Sequence, residues 1–343
     1  MTSHELPAPL LEVTGLSVDL ATGRERCRAI DNISFSVERG ETLCIVGESG
    51  SGKTLTALAL MSLLPAGIEV AAGRMRFDGR DLPAPEAGRG AGPYGDEIAM
   101  IFQDPMSSLN PVLTIGRQIT ESIRRHQPSL TRRQRAARAE EVLALVGIRD
   151  AADKMKRYPH EMSGGLCQRI LIAIALVNHP RLIIADEPTT ALDVTVQAQV
   201  MASMRAACRL TGAALLLITH DMGLVAQYAD RVLVMYAGRI VEQGRVGRIF
   251  RAPRHPYTRA LLESIPRLDD DVDRILAAIK GEPPLISRLP AGCAFRPRCQ
   301  LCRQRPICAG QIPPLRADGA DPAHASACHF AHELAAPVLM ERN

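Results

Sequence analysis

The sequence predicts an α/β fold wound around a phosphate-binding loop, and three observations carry that expectation. Gly47-Glu48-Ser49-Gly50-Ser51-Gly52-Lys53-Thr54 satisfies the pattern G-x-x-x-x-G-K-[ST] at every specified position. Short apolar, β-branched runs recur along the chain and end in polar residues, as parallel strands do when they deliver side chains to a site at their carboxyl ends. Between them lie longer stretches of helical periodicity.

Taken in order, residues 10–20 and 30–37 alternate apolar and polar positions, which suits half-buried strands of an antiparallel sheet, with Gly40 at the next turn. Thr42-Leu43-Cys44-Ile45-Val46 reads as a buried strand, and residues 54–64 as a helix that Pro65 stops. Strand, loop and helix gather backbone N–H groups and a helix N-terminus around one anionic pocket. Lys53 would meet the β- and γ-phosphates as a point charge, and the Thr54 hydroxyl would ligate Mg²⁺. Residues 73–79 read as a strand bounded by glycines and residues 83–95 as a Pro- and Gly-rich surface connection. Ile98-Ala99-Met100-Ile101-Phe102 reads as a core strand that delivers Gln103.

From residue 111 to about 179 the pattern is helical, with arginines on one face of residues 131–146 and Leu143, Ala144 and Val146 on another. Within it, Met162-Ser163-Gly164-Gly165-Leu166-Cys167-Gln168-Arg169 places Ser163 to cap a helix running through Val177. A helix beginning Ser-Gly-Gly is a second candidate anion site, although the tripeptide is also an ordinary turn. Residues 182–185 form an apolar strand that ends in Asp186 and Glu187. Asp186 would hold Mg²⁺, directly or through water, and Glu187, pointing differently, would polarise the attacking water. Residues 214–218 repeat the design and present His220, while residues 231–236 and 238–242 read as a terminal hairpin.

At 343 residues the chain is too long for one average domain, so two or three units are expected. Hydrophobic residues make up 46%, yet no apolar run approaches the roughly 18 residues of a membrane span. Met1-Thr2-Ser3-His4-Glu5 has neither the basic start nor the apolar centre of a secretory signal, so a soluble cytoplasmic chain is the expectation. A net charge of +4 is too small to argue for nucleic acid. The arginines that crowd residues 239–316 read as solvated surface, with an anionic membrane surface or acidic partner as the other option. Of nine cysteines, Cys27, Cys44, Cys167 and Cys208 are scattered, whereas Cys293, Cys299, Cys302, Cys308 and Cys328 cluster. In a cytosolic chain the cluster points to a metal or to incidental burial, not to a disulfide framework. Thiolates suit iron–sulfur clusters and zinc alike, and this Pro- and Arg-containing tail has little apolar core of its own to order it.

The succession of residues 47–54, Gln103, Ser163-Gly164-Gly165, Asp186-Glu187, Ala191-Leu192-Asp193 and His220 resembles the ATP-binding cassette (ABC) family over about residues 11–243. The resemblance implies an ABC cassette over residues 8–265, with a RecA-like core, an antiparallel β subdomain and a helical subdomain at about 111–179. Two such cassettes would sandwich two ATP molecules with Mg²⁺, each held by one cassette's phosphate loop and the other's Ser-Gly-Gly helix. Ser163, Gly164 and Gly165 would then contact the γ-phosphate held by the partner, with Gln168 of the same helix in the nucleotide-binding set. Gln103 would sense Mg²⁺ and a transmembrane subunit, Asp193 would communicate across the dimer, and His220 would contact the γ-phosphate near Glu187. Three departures stand out. Met162 replaces the usual leucine, Cys167 a common polar residue, and no aromatic precedes Ile30, where Arg26 or Arg28 would stack on adenine instead.

Residues 251–262 and 289–299 resemble the oligopeptide/dipeptide branch of importer ATPases, which implies a Cys-rich C-terminal extension over residues 266–335. In that branch Cys293, Cys299, Cys308 and Cys328 are implied to hold a [4Fe–4S] cluster, with zinc or unmetallated thiols as the open alternatives. Cys302 is then a spare thiol or a substitute ligand, and His255 a metal ligand or the residue positioning a turn beside Pro256. The implied protein is the ATP-hydrolysing subunit of a peptide importer, peripheral on the cytoplasmic face of the inner membrane. Its implied partners are a second ABC ATPase subunit, identical or different, two transmembrane permease subunits and, indirectly, an extracytoplasmic substrate-binding protein, with no nucleic acid. Nickel or another small solute is the alternative cargo. A soluble non-transport ABC ATPase is the other class, disfavoured by the single phosphate loop, and a DNA-repair ATPase lacks support because residues 111–179 show no sustained heptads.

Overall fold

The computed structural model describes residues 8–22, 25–83, 92–190, 192–265, 279–302, 305–319 and 321–334; Ala191 and most of the connection expected at 83–95 lie outside the described residues. The chain packs as two compact units, each discontinuous in sequence.

The first unit is formed chiefly by Arg76–Ile218, with Ser36–Glu41. Three parallel strands run side by side at its centre, with Leu182–Asp186 between Ile98–Ile101 and Ala214–Thr219, and Ile98, Leu182 and Ala214 in register. Leu182, Ile183, Ile184 and Ala185 are wholly buried, as a strand covered on both faces requires. Helices Ile115–His126, Arg132–Leu145 and Val194–Thr211 all pack on helix Gly164–Leu176. The last of these approaches so closely that a Cβ on Gly165 would sit 2.4 Å from Val196 Cγ1, so a larger residue there would force Val196 to shift. Thr131 caps Arg132–Leu145 in a reciprocal box with Gln134, which satisfies first-turn donors. Arg181, at the foot of the central strand, donates to Asp78 Oδ2 at 2.7 Å and Glu97 Oε2 at 3.1 Å. With Arg39 also paired to Asp78, these cations hold the Asp78 carboxyl well below the usual carboxylate range.

The second unit comprises Glu12–Phe35, Thr42–Met75 and the chain from Thr219 onward. Strand Leu11–Thr22 lies between Glu25–Val37 and Ile68–Phe77. Thr42–Val46 runs parallel to Arg231–Tyr236, pairing Leu43 with Arg231 and Val46 with Val234. Helix Lys53–Leu60 ends before the expected Pro65 because Ser62 takes the left-handed conformation, φ 55°. Arg231–Tyr236 turns through Ala237 and Gly238, φ 46° and 79°, into antiparallel Arg239–Arg245.

That hairpin is not terminal, which corrects the expectation. Asp321–Ser326 pairs with its outer strand, Glu242 against Ser326, and Arg316–Asp318 pairs in turn with Asp321–Ser326. Asp-Pro-Ala-His-Ala-Ser shows neither alternation nor strand propensity, so local sequence does not announce it. What orders it is Glu242, wholly buried, whose carboxylate accepts from the Arg254 and His255 N–H groups at 2.6 and 2.9 Å and contacts His324 Nε2 at 2.7 Å. Three polar partners make a buried carboxylate tenable.

Candidate nucleotide site

The phosphate loop belongs to the second unit. Gly47 leaves strand Thr42–Val46 so close to its neighbour that a Cβ would lie 2.2 Å from Met235 O, and Gly52 caps helix Lys53–Leu60 at φ 103°, a torsion that glycine adopts without strain. Gly238 N–H donates to Ser51 O and Ser51 N–H to Glu48 O, at 3.0 and 3.2 Å, which curls the loop over the helix start. Lys53, 5% exposed, folds its ammonium back to donate to Gly47 O at 2.8 Å and Glu48 O at 3.0 Å. A cation held on loop carbonyls at the head of a helix is poised for an incoming polyphosphate. The Ser51 hydroxyl is buried without a hydrogen-bond partner, a second polar group set into the loop, and Thr54 is exposed behind it.

In the first unit the carboxylates sit where the sequence puts them. Asp186 is buried at the end of its strand, 3% exposed. Glu187 follows at φ 45°, a left-handed torsion uncommon for any residue but glycine, and its N–H donates to Ile218 O at 2.9 Å. Non-glycine residues hold such torsions at a cost of about 1–3 kcal/mol, met at functional sites by surrounding contacts. Here Thr190 Oγ1 donates to Glu187 Oε2 at 2.8 Å and Gln103 Nε2 to the same oxygen at 3.4 Å. The structure therefore brings Gln103 and Glu187 together, and adds Thr190, which no sequence pattern singled out.

Ser163 caps helix Gly164–Leu176, its Oγ accepting from Leu166 N, and Ser163 and Gly164 are exposed at the helix start. Gln168 is not: it is 1% exposed and its Nε2 is buried without a partner, so the residue sits inside the unit. Asp193 is exposed and caps Val194–Thr211, accepting from Val196 N at 2.9 Å. His220, exposed, follows strand Ala214–Thr219 and precedes Asp221, which caps the next helix. Neither arginine expected near adenine is uncommitted: Arg26 pairs with Glu69, and Arg28 with Asp19 and Asp31.

All five clustered cysteines, Cys293, Cys299, Cys302, Cys308 and Cys328, line one cavity of about 20 Å³, walled also by His255, Phe295 and Phe330. Burial pushes the Cys308 thiol up to about 12, helped by neighbouring Cys302, and Cys328 to about 11, and raises Cys293 and Cys299 as well. Among the described residues no three His, Cys, Asp or Glu side chains are disposed as a ready-made ion site. His255 resolves into the positioning role. Its Nδ1 accepts from Tyr257 N at 3.1 Å at the start of helix Pro256–Glu263, and burial lowers its pKa to about 3.

A glycine-rich loop between a buried strand and a helix, its lysine preset on loop carbonyls, defines a P-loop nucleotide-binding protein. Comparison with known proteins narrows the class. Residues 30–190 match the family model described as ABC transporter, and residues 241–308 the model described as Oligopeptide/dipeptide transporter, C-terminal region. A Brucella abortus protein named for peptide import ATP binding is 51% identical over 303 residues, covering 88% of this chain and 91% of its own. The dipeptide transport ATP-binding protein DppD of Escherichia coli is 46% identical over 325 residues, covering 94% and 96%. Among solved structures, dimeric MJ0796, a bacterial ABC transporter cassette, aligns with TM-score 0.60 at 25% identity over 69% of this chain and 98% of its own. The chain belongs to the ATP-binding subunits of ABC transporters and carries their ATPase fold.

Proposed function

We propose that this chain powers the import of peptides, hydrolysing ATP as one of two cassettes that drive a pair of transmembrane subunits. The observation that carries the catalytic part is the Glu187 carboxylate, fixed by Thr190 and Gln103 one residue beyond buried Asp186. Lys53 and the loop 47–54 would bind the phosphates. Thr54, Asp186 and Gln103 would serve Mg²⁺, Glu187 would orient the attacking water, and His220 would approach the γ-phosphate. Ser163, Gly164 and Gly165, exposed or at the head of their helix, would complete the site of a partner cassette, with Asp193 beside them. Buried Gln168 would act through that helix. Phe102, Met106 and Val112, exposed at 40%, 49% and 75%, are close to Gln103 in sequence and suit contact with a membrane partner. Among the described residues no helix is long and apolar enough to cross a membrane, which fits attachment through such partners at the cytoplasmic face. Peptide cargo is drawn from the relatives' names, and the division into residues 8–265 and 266–335 follows the same reading.

Glu187→Gln should trap an ATP-bound dimer on gel filtration while abolishing turnover; normal turnover would refute the assignment. Purification from native membranes should recover two polytopic proteins and a second cassette, whereas recovery with ribosomes or DNA would overturn the transport reading.

We infer as well that Cys293, Cys299, Cys308 and Cys328 hold a [4Fe–4S] cluster, with Cys302 beside them. Five thiols lining one small cavity are the soft donor set such iron prefers. The group would cross-link the tail. Anaerobic protein containing iron and sulfide is expected, and zinc with neither would exclude the cluster.

A further inference from the structure

The phosphate loop is held from outside the nucleotide elements. Arg298, beside Cys299 in the tail, clamps the Glu48 carboxylate with both terminal nitrogens, Nη1 to Oε2 at 2.5 Å and Nη2 to Oε1 at 2.9 Å. The Arg298 side chain is 4% exposed and that of Glu48 24%. The guanidinium is fixed in turn: Nε donates to Lys280 O at 3.1 Å, Nη1 reaches Tyr236 Oη at 3.4 Å, and the group lies over the Tyr236 and Phe295 rings at 5.9 and 6.0 Å. From another direction, the Glu48 N–H donates to Tyr257 Oη at 2.7 Å. Tyr257 is wholly buried, and burial raises its pKa, so the phenol stays neutral. Tyr236, Tyr257 and Phe295 form one aromatic cluster with centroids 4.7, 5.2 and 5.4 Å apart. The main chain and the side chain of one loop residue are therefore both anchored to chain beyond the hairpin.

Two physical consequences follow. Five of the eight residues in 47–54 are glycine or serine, so the loop is costly to order, and an anchor formed before ATP arrives removes part of that cost. An acid in a loop that receives a polyphosphate is also repulsive unless neutralised, and a bidentate arginine neutralises it while fixing its direction. We propose that Arg298 and Tyr257 are positioning residues of the ATP site, through which the chain beyond the hairpin, helix Pro256–Glu263 and the C-terminal tail together, sets the conformation and charge of the phosphate loop.

The test uses the full chain with Mg²⁺ and a fluorescent N-methylanthraniloyl-ATP, together with KM and kcat for ATP hydrolysis. Arg298→Met should raise both Kd and KM about tenfold with kcat changed less than about twofold, the pattern of lost binding before chemistry. Arg298→Lys should fall between, keeping the charge and losing the fork. Adding Glu48→Gln to Arg298→Met should recover part of the affinity, because the uncompensated carboxylate is gone. Tyr257→Phe keeps the ring and removes only the hydroxyl, and should raise Kd about threefold, which also decides the matter if Arg298→Met fails to fold. A lowered melting temperature with unchanged Kd in Arg298→Lys and Tyr257→Phe would overturn the proposal, as would a loss in Arg298→Met that Glu48→Gln leaves undiminished.

Discussion

The phosphate loop and the cysteine-bearing tail are ordered by opposite means. Residues 47–54 owe most of their backbone course to neighbours in sequence: glycines with the needed torsions and space, and a lysine turned onto carbonyls five and six residues back, with Gly238, Tyr257 and Arg298 added from afar. The described part of residues 279–334 has only short regular elements, and its strand and its buried arginine are tied to remote chain, Ser326 to Glu242 and Arg298 to Glu48. Local chemistry makes a motif readable, and long-range contacts make a tail orderly. The two are not independent, since a remote anchor of the tail is the loop itself.

Lys53→Ala should break the local side most severely. It removes the cation without touching the tail, so ATP binding should be lost in a titration while the melting temperature moves by only a few degrees. Glu242→Leu should break the remote side, because it strands two N–H groups and His324 inside the unit. A loss of about 3–5 kcal/mol is expected in urea unfolding, with early proteolysis of residues 279–334.

A subtler separation comes from pH. His255 titrates near 6.5 when unfolded but only near 3 when folded, because burial disfavours its charged form. Its contribution to stability is therefore complete above about 6.5 and is lost as pH falls toward 3, where the unfolded chain binds the extra proton. His255→Asn keeps a capping acceptor and does not titrate, so its urea midpoint should fall less steeply between pH 6.5 and 4 than that of the parent chain. Arg305→Ala should matter least. Its ion pair with Glu333 is partly exposed and screened by solvent, so the smallest shift of the urea midpoint in this set is expected.

Most of the central strands and the helix caps are legible in the chain. Buried parallel strands are continuous apolar runs, and Ser163 and Thr131 announce helices by chemistry that acts within four residues. Gln168 is buried, a placement its proximity to Ser163-Gly164-Gly165 in sequence does not reveal, because sequence proximity does not say which face of the helix a residue occupies. Strand Asp321–Ser326 was invisible because its pairing depends on a carboxylate some eighty residues away.

Glu48 draws the line most sharply. As a member of the phosphate loop it is expected at the nucleotide, but the pattern gives its side chain no partner, whereas the order of the chain alone suggests roles for Lys53, Thr54, Asp186 and Glu187, because covalent spacing along a strand or turn dictates where such side chains emerge. That Glu48 meets Arg298 and Tyr257, and that five cysteines separated by up to 35 positions face one cavity, depends on where distant segments pack. Spacing governs direction over a few residues; beyond that, burial of shared surface decides which residues meet.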